Sequence, residues 1–124
     1  MKQRTFKFRV WNGQEFDNPD YLECGNGGEL MFFAKVENRE NFAIQQFTGR
    51  QDSNKVDIYE GDIVNVNGEN RAIIYRGSGF FAAGTDYQLD TIWFAGGGPK
   101  VVGNIFEHGG MIADRLNPLK NDNL

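Results

Sequence analysis

The sequence predicts an all-β, mainly antiparallel fold: a small barrel or sandwich, or a strongly coiled sheet. Three observations carry this. β-branched and aromatic residues fall in short runs separated by glycine, asparagine and aspartate turns. The 124-residue chain holds 11 Phe and 16 Gly against 3 Pro, which suits aromatic strands punctuated by glycine. No long stretch repeats apolar residues at the 3.6 period of an amphipathic helix, which disfavours an α/β architecture. Hydrophobic residues make up 40%, enough to build the core of one domain, or of one domain with an elaborated arm. The expected division is a strand and arm over 1–41, a β core over 42–116 and a tail over 117–124.

The elements follow in chain order. Thr5 to Trp11 alternates, with Phe6, Phe8 and Val10 on one face and Lys7, Arg9 and Trp11 on the other, so it reads as a half-buried strand. Asn12-Gly13 ends it in a turn. Glu15 to Gly28, with Asn18-Pro19-Asp20 and Gly25-Asn26-Gly27-Gly28, is polar and glycine-rich and reads as an irregular arm. Leu30 to Val36 is a short apolar run, read as strand from its length and aromatics. Glu37 to Asn41 is a charged connection, and Phe42 to Phe47 a strand.

The central stretch from Gln46 to Tyr75 has the clearest pattern. Asp52-Ser53-Asn54-Lys55 reverses the chain, with Asn54 suited to a left-handed conformation. Val56 and Ile58 precede a corner at Tyr59-Glu60-Gly61-Asp62, where Gly61 supplies the torsion. Asn67-Gly68 is the strongest hairpin signal in the chain and joins Ile63–Val66 to Arg71–Tyr75. Its parity puts Val64, Val66, Ile73 and Tyr75 on one face and Ile63, Ala72 and Ile74 on the other. Apolar residues on both faces predict strands covered on both sides.

Beyond the hairpin, Gly77-Ser78-Gly79 turns into a strand at Phe80–Ala83, and Gly84-Thr85-Asp86 turns again. Tyr87–Leu89 and Thr91–Ala95 are strand candidates kinked at Asp90, followed by a Gly96–Pro99 loop. Lys100 to Glu107 reads as the last strand, in which Gly103 marks a bulge or a close backbone approach. Met111 to Leu116 suits one helical turn, and Lys120 to Leu124 a fraying end.

Composition also excludes. A net charge of −4 and a pI near 4.9 argue against a protein that binds nucleic acid with its whole surface. One cysteine, Cys24, excludes an intrachain disulfide, and one histidine, His108, leaves too few soft ligands for a structural zinc site. No apolar run approaches the ~20 residues of a membrane helix, and the N-terminus lacks the apolar block of a signal peptide. The expectation is a cytoplasmic protein with no cofactor and no membrane partner.

Three stretches resemble the YopX family of phage and prophage proteins: FKFRVW (Phe6–Trp11), QQFTGRQDSNKVDIYEGDIV (Gln45–Val64) and VVGNIFEH (Val101–His108). Their order and spacing match across nearly the whole chain, with 15–33 matched poorly. The chain departs from the family pattern at Asn54-Lys55, where Asn-Gly is common, and after His108, where Asn-Pro-Glu-Leu commonly continues. The resemblance implies an all-β fold with an SH3-like barrel element, a phage or prophage origin in a bacterial host, and self-assembly; the expected fold adds an N-terminal β arm to that element. It implies no catalytic or ligand-binding residue.

The candidate chemistry is sparse. Asp57, Glu60 and Asp62 cluster about Tyr59, with Asp52 a turn earlier. They fit either a divalent-cation or acid–base site, or carboxylates that accept backbone N–H bonds at a tight corner. The backbone reading is preferred, because turns demand short acidic side chains. Gly77-Ser78-Gly79-Phe80-Phe81-Ala82 matches G-x-G-x-x-A but has no helix of useful length after it. Gly96–Gly98 lacks the Lys-Ser/Thr of a P-loop. His108 beside Glu107 has no supported nucleophile, since Ser53 and Ser78 sit in turns. Cys24 has no basic neighbour to activate it.

Lys7, Arg9 and Trp11 share one strand face, the pattern of a basic and aromatic groove for a single nucleic-acid strand. A solvated face with Trp11 covering the core edge is preferred, given the net charge. The candidate surface is therefore Lys7, Arg9, Trp11, Tyr59, Glu60 and Asp62. Abundant rings, Phe32, Phe33, Phe80, Phe81 and Phe94 among them, point to a subunit interface. The expected function is a non-enzymatic interaction module that forms a homo-oligomer. A small β-barrel that binds nucleic acid is the alternative.

Overall fold

The computed structural model describes residues 7–17, 21–24, 30–33, 43–90 and 98–124. These belong to two compact units, Met1–Phe47 and Thr48–Leu124. Strands β1 (Phe8–Trp11), β2 (Phe16–Asp17), β3 (Tyr21–Cys24) and β4 (Leu30–Phe33) lie in the first. Strand β5 (Ala43–Gln51) begins there and runs on into the second.

In the first unit β1 lies between β2 and β5, antiparallel to both. Asn12 makes the β1–β2 turn: its Oδ1 accepts the N–H groups of Gln14 and Glu15 at 2.9 and 3.0 Å, while Gly13 takes φ 99°. The strict alternation expected of β1 fails at its end. Val10 and Trp11 are both buried, because Trp11 meets Phe16 edge-on across β2, with ring centroids 5.0 Å apart. The expected irregular arm is corrected too. β3 and β4 form an antiparallel hairpin in the register Tyr21↔Phe33 to Cys24↔Leu30. Glycine and asparagine on either side hid a four-residue strand whose partner lies six residues downstream at the turn end.

The second unit holds β6 (Asp57–Tyr59), β7 (Asp62–Val66), β8 (Glu69–Arg76), β9 (Gly79–Ala82) and β10 (Lys100–Asn104). Four of them form an antiparallel sheet in the order β10-β7-β8-β9, and β6 pairs with β5. The all-β expectation holds. The sheet ends in two different strands, so no closed barrel forms among the described residues. Asn67 (φ 52°) and Gly68 (φ 84°) make the expected two-residue hairpin, the turn whose twist matches paired strands. Gly77 (φ 62°) starts the equally tight turn between β8 and β9. The G-x-G-x-x-A match is therefore hairpin and strand.

The β7–β8 parity is as expected, and each face carries its own core. Ile63, Ala72 and Ile74 pack with Ala83, Ile105 and Ile112. Val64 and Ile73 pack with Ile58 and Leu89, flanked by Val66, Phe80 and Val101. Each Val, Ile or Leu side chain among them contributes about 1.5–3 kcal/mol when fully buried.

Four further expectations change. β5 continues past Phe47 to Gln51, because β6 supplies it with a second partner and Thr48 Oγ1 donates to the Ile58 carbonyl at 2.7 Å. The last strand stops at Asn104 and not Glu107: Asn104 Oδ1 accepts the N–H groups of Phe106 and Glu107 and turns the chain. The strand expected at Tyr87–Leu89 is a single bridge, Phe81↔Gln88, after which 89–90 is helical and Leu89 is buried in the core. The end of the chain is held by turns about Asn117, whose carbonyl accepts the N–H groups of Lys120 and Asn121. Leu124 packs against the first cluster. Met111–Leu116 forms short 3-10 turns at Gly109–Met111 and Asp114–Leu116. The expectations at Phe6, 18–20, 25–29, 34–42 and 91–97, Phe94 included, lie outside the described residues.

Candidate functional site

The acidic corner links β6 to β7. Gly61 sits there at φ 83°. Its N–H donates to the Ile73 carbonyl at 2.7 Å and its carbonyl accepts from Ile105 at 2.9 Å. Asp62 is 2% exposed, and its Oδ2 accepts the Tyr59 N–H at 2.8 Å. Asp57 Oδ1 accepts from Gln51 Nε2 across the β5–β6 pair at 3.0 Å. Tyr59, Glu60 and Asp57 are half-buried beside them. The carboxylates of Asp57 and Asp62 are thus engaged within the fold, as the backbone reading expects of Asp62. Among the described residues no group of three or more His, Cys, Asp or Glu is placed to hold a metal ion.

Asp52 is the residue that sequence reasoning undervalued. It is 3% exposed and accepts three backbone N–H groups. Asn54 and Val56 reach Oδ1 at 2.8 and 2.9 Å, and Val101, 49 residues away, reaches Oδ2 at 2.9 Å. The first two bonds are local and could be read from an aspartate opening a turn. The third depends on where β10 comes to lie, and nothing local signals it. The left-handed residue of this turn is Lys55 (φ 63°), not Asn54. A tight turn followed by one left-handed residue closes a three-residue hairpin loop, and that count puts the burden on Lys55.

His108 is held too. Its Nδ1 accepts the Asn104 N–H at 3.2 Å, and its ring lies so close to Gly103 that a Cβ there would sit 2.7 Å from Nδ1. Both readings of Gly103 are met, since the β10–β7 register also shifts between Val101 and Gly103. With its Nδ1 lone pair committed to a backbone donor, His108 keeps only its other ring nitrogen for chemistry. Cys24 lies in β3. Arg50 Nε donates to Asp90 Oδ1 at 2.8 Å, which raises the guanidinium above its ordinary value. Both side chains are about half exposed, and such a surface pair adds about 0–1 kcal/mol.

The basic and aromatic set lies in the first unit. Arg9 stands opposite Gln45 and donates to its Oε1 through Nε and Nη2 at 2.9 and 2.8 Å. The same guanidinium lies 3.9 Å from the Phe16 ring centroid, and Lys7 Nζ lies 4.4 Å from that of Phe47. Trp11 is buried and meets Phe16 edge-on. Lys7 and Arg9 are therefore set against rings of their own chain, and Trp11 offers little face for stacking a base.

Exposed apolar residues gather elsewhere. Tyr75 and Tyr87 are 54% and 61% exposed. Tyr75 contacts Phe80 edge-on at 5.3 Å. Registers place Tyr75 opposite Phe80 and Tyr87 beside Ala82, on one face of β8–β9. No helix among the described residues is long and apolar enough to cross a membrane.

The comparisons with known proteins agree on the fold. The chain is similar to a solved structure described as the crystal structure of protein EF1440 from Enterococcus faecalis. The TM-score is 0.60 at 22% identity, over 90% of this chain and 100% of that one. At that identity the likeness speaks for the fold alone. No curated protein matches. The family model described as YopX protein matches residues 7–113, which contain the Gln45–Val64 stretch, the acidic corner and β10 with its closing turn. The chain therefore belongs to the YopX family.

Proposed function

We propose that this chain is a non-enzymatic interaction module of phage or prophage origin that acts in the cytoplasm of a bacterial host and self-assembles. The observation that carries the reading is the aromatic surface of β8–β9. Two half-exposed tyrosines, Tyr75 against Phe80 and Tyr87 beside Ala82, lie next to core residues of that sheet. Tyrosines of this kind bury large area at low entropic cost and anchor protein contacts. The engagement of Asp52, Asp62 and His108 by backbone N–H groups supports the same reading, because it assigns them a folding task.

Size-exclusion chromatography with light scattering tests it. The protein should run as a homo-oligomer at tens of micromolar, and the double variant Tyr75→Ala, Tyr87→Ala should shift it toward monomer while its circular dichroism stays unchanged. A monomeric parent overturns the proposal. Nucleic-acid binding is less well supported, since Arg9 and Lys7 lie against Phe16 and Phe47 and the chain carries net charge −4.

A further inference from the structure

The outer side of β10 is closed by side-chain and backbone groups of the second unit. Among the described residues β10 pairs with β7 on one side and with no strand on the other. On its other side the Val101 N–H donates to Asp52 Oδ2, the Pro99 carbonyl accepts the Ser53 N–H at 3.1 Å, and the Asn104 N–H donates to His108 Nδ1. Without such partners a strand edge is a template for another strand. β10 reads KVVGN, with one charge, Lys100, and an exposed Val102. Those residues do little to repel a neighbour. A second β10 meeting it about a two-fold axis would run antiparallel, which sets Lys100 against the far end of the strand and away from its own copy.

We infer that Asp52 is an edge guard: its carboxylate occupies the outward Val101 N–H and keeps a second copy of this chain from adding its own β10 there. The surface involved is backbone, distinct from the tyrosine surface proposed above. The two ideas therefore fail independently.

Asp52→Asn separates this role from the turn. The amide oxygen still accepts from Asn54 and Val56, whereas its NH₂ faces the Val101 N–H donor to donor. Adding Val101→Pro removes the edge donor itself, a change that edge strands tolerate. The test is light scattering across a concentration series, with hydrogen exchange read at Val101, on the parent, Asp52→Asn and the double variant. In Asp52→Asn, exchange at Val101 should rise about tenfold, the worth of one such bond. A species larger than any the parent forms should grow with concentration, and it should vanish in the double variant. An unchanged exchange rate overturns the inference. So does faster exchange with the parent's mass at every concentration, or an enlarged species that survives Val101→Pro.

Discussion

At Lys55 the main chain takes φ 63° on an exposed side chain. A left-handed residue other than glycine costs roughly 1–2 kcal/mol, and glycine returns part of the difference as unfolded-chain entropy, about 0.5–1 kcal/mol. Lys55→Gly should therefore stabilise the protein by about 0.5–1 kcal/mol, read as a higher urea midpoint at unchanged slope. The residue scale is also where sequence reading was strongest. Asn67-Gly68 and Gly61 declared their torsions because only those residue types take them cheaply. Lys55 did not, because lysine carries no such signal and the left-handed position follows from the loop's length.

At the scale of elements, β10 depends on a fit between a missing side chain and a ring. His108 folds back over Gly103 after the Asn104 turn. A methyl group at Gly103 forces the ring and its hydrogen bond aside. Gly103→Ala should cost about 1–3 kcal/mol, the usual range for overpacking. In a double-mutant cycle with His108→Ala most of that cost should disappear, since the pair is in contact. Additive losses would show that the glycine is needed for another reason.

Strand existence was legible where runs of Val, Ile and Phe met turn residues, as in β7, β8 and β9. It was not legible at β3, where Tyr21–Cys24 gains its conformation from pairing with β4. Nor was it legible in the second half of β5, where Thr48 to Gln51 stays in the strand, with Gly49 at φ 85°, because β6 lies beside it. Pairing partners distant in sequence override local preference, and the limit of Phe42–Phe47 moved for that reason, whereas that of Lys100–Glu107 moved because Asn104 turns the chain locally.

For the molecule as a whole, the corner at Tyr59–Asp62 matters most. There the chain leaves the β5–β6 pair and enters the β7–β8 hairpin, whose two faces carry the two cores. The candidate site was half legible. Carboxylates at a corner were read as backbone acceptors, and Asp62 is one. Asp52 was not seen as a tie across 49 residues, because that bond exists only once β10 is in place. Central to this account is that the acidic signature shapes main chain and does not hold a ligand. Urea denaturation of the parent and Asp62→Ala, each with and without millimolar Mg²⁺, Mn²⁺ or Ca²⁺, tests it most directly. The account predicts a loss of about 1–3 kcal/mol in the variant, the cost of stranding a buried donor, and a parent midpoint that does not move with metal. A variant as stable as the parent, or a parent midpoint that rises with metal where the variant's does not, would contradict it.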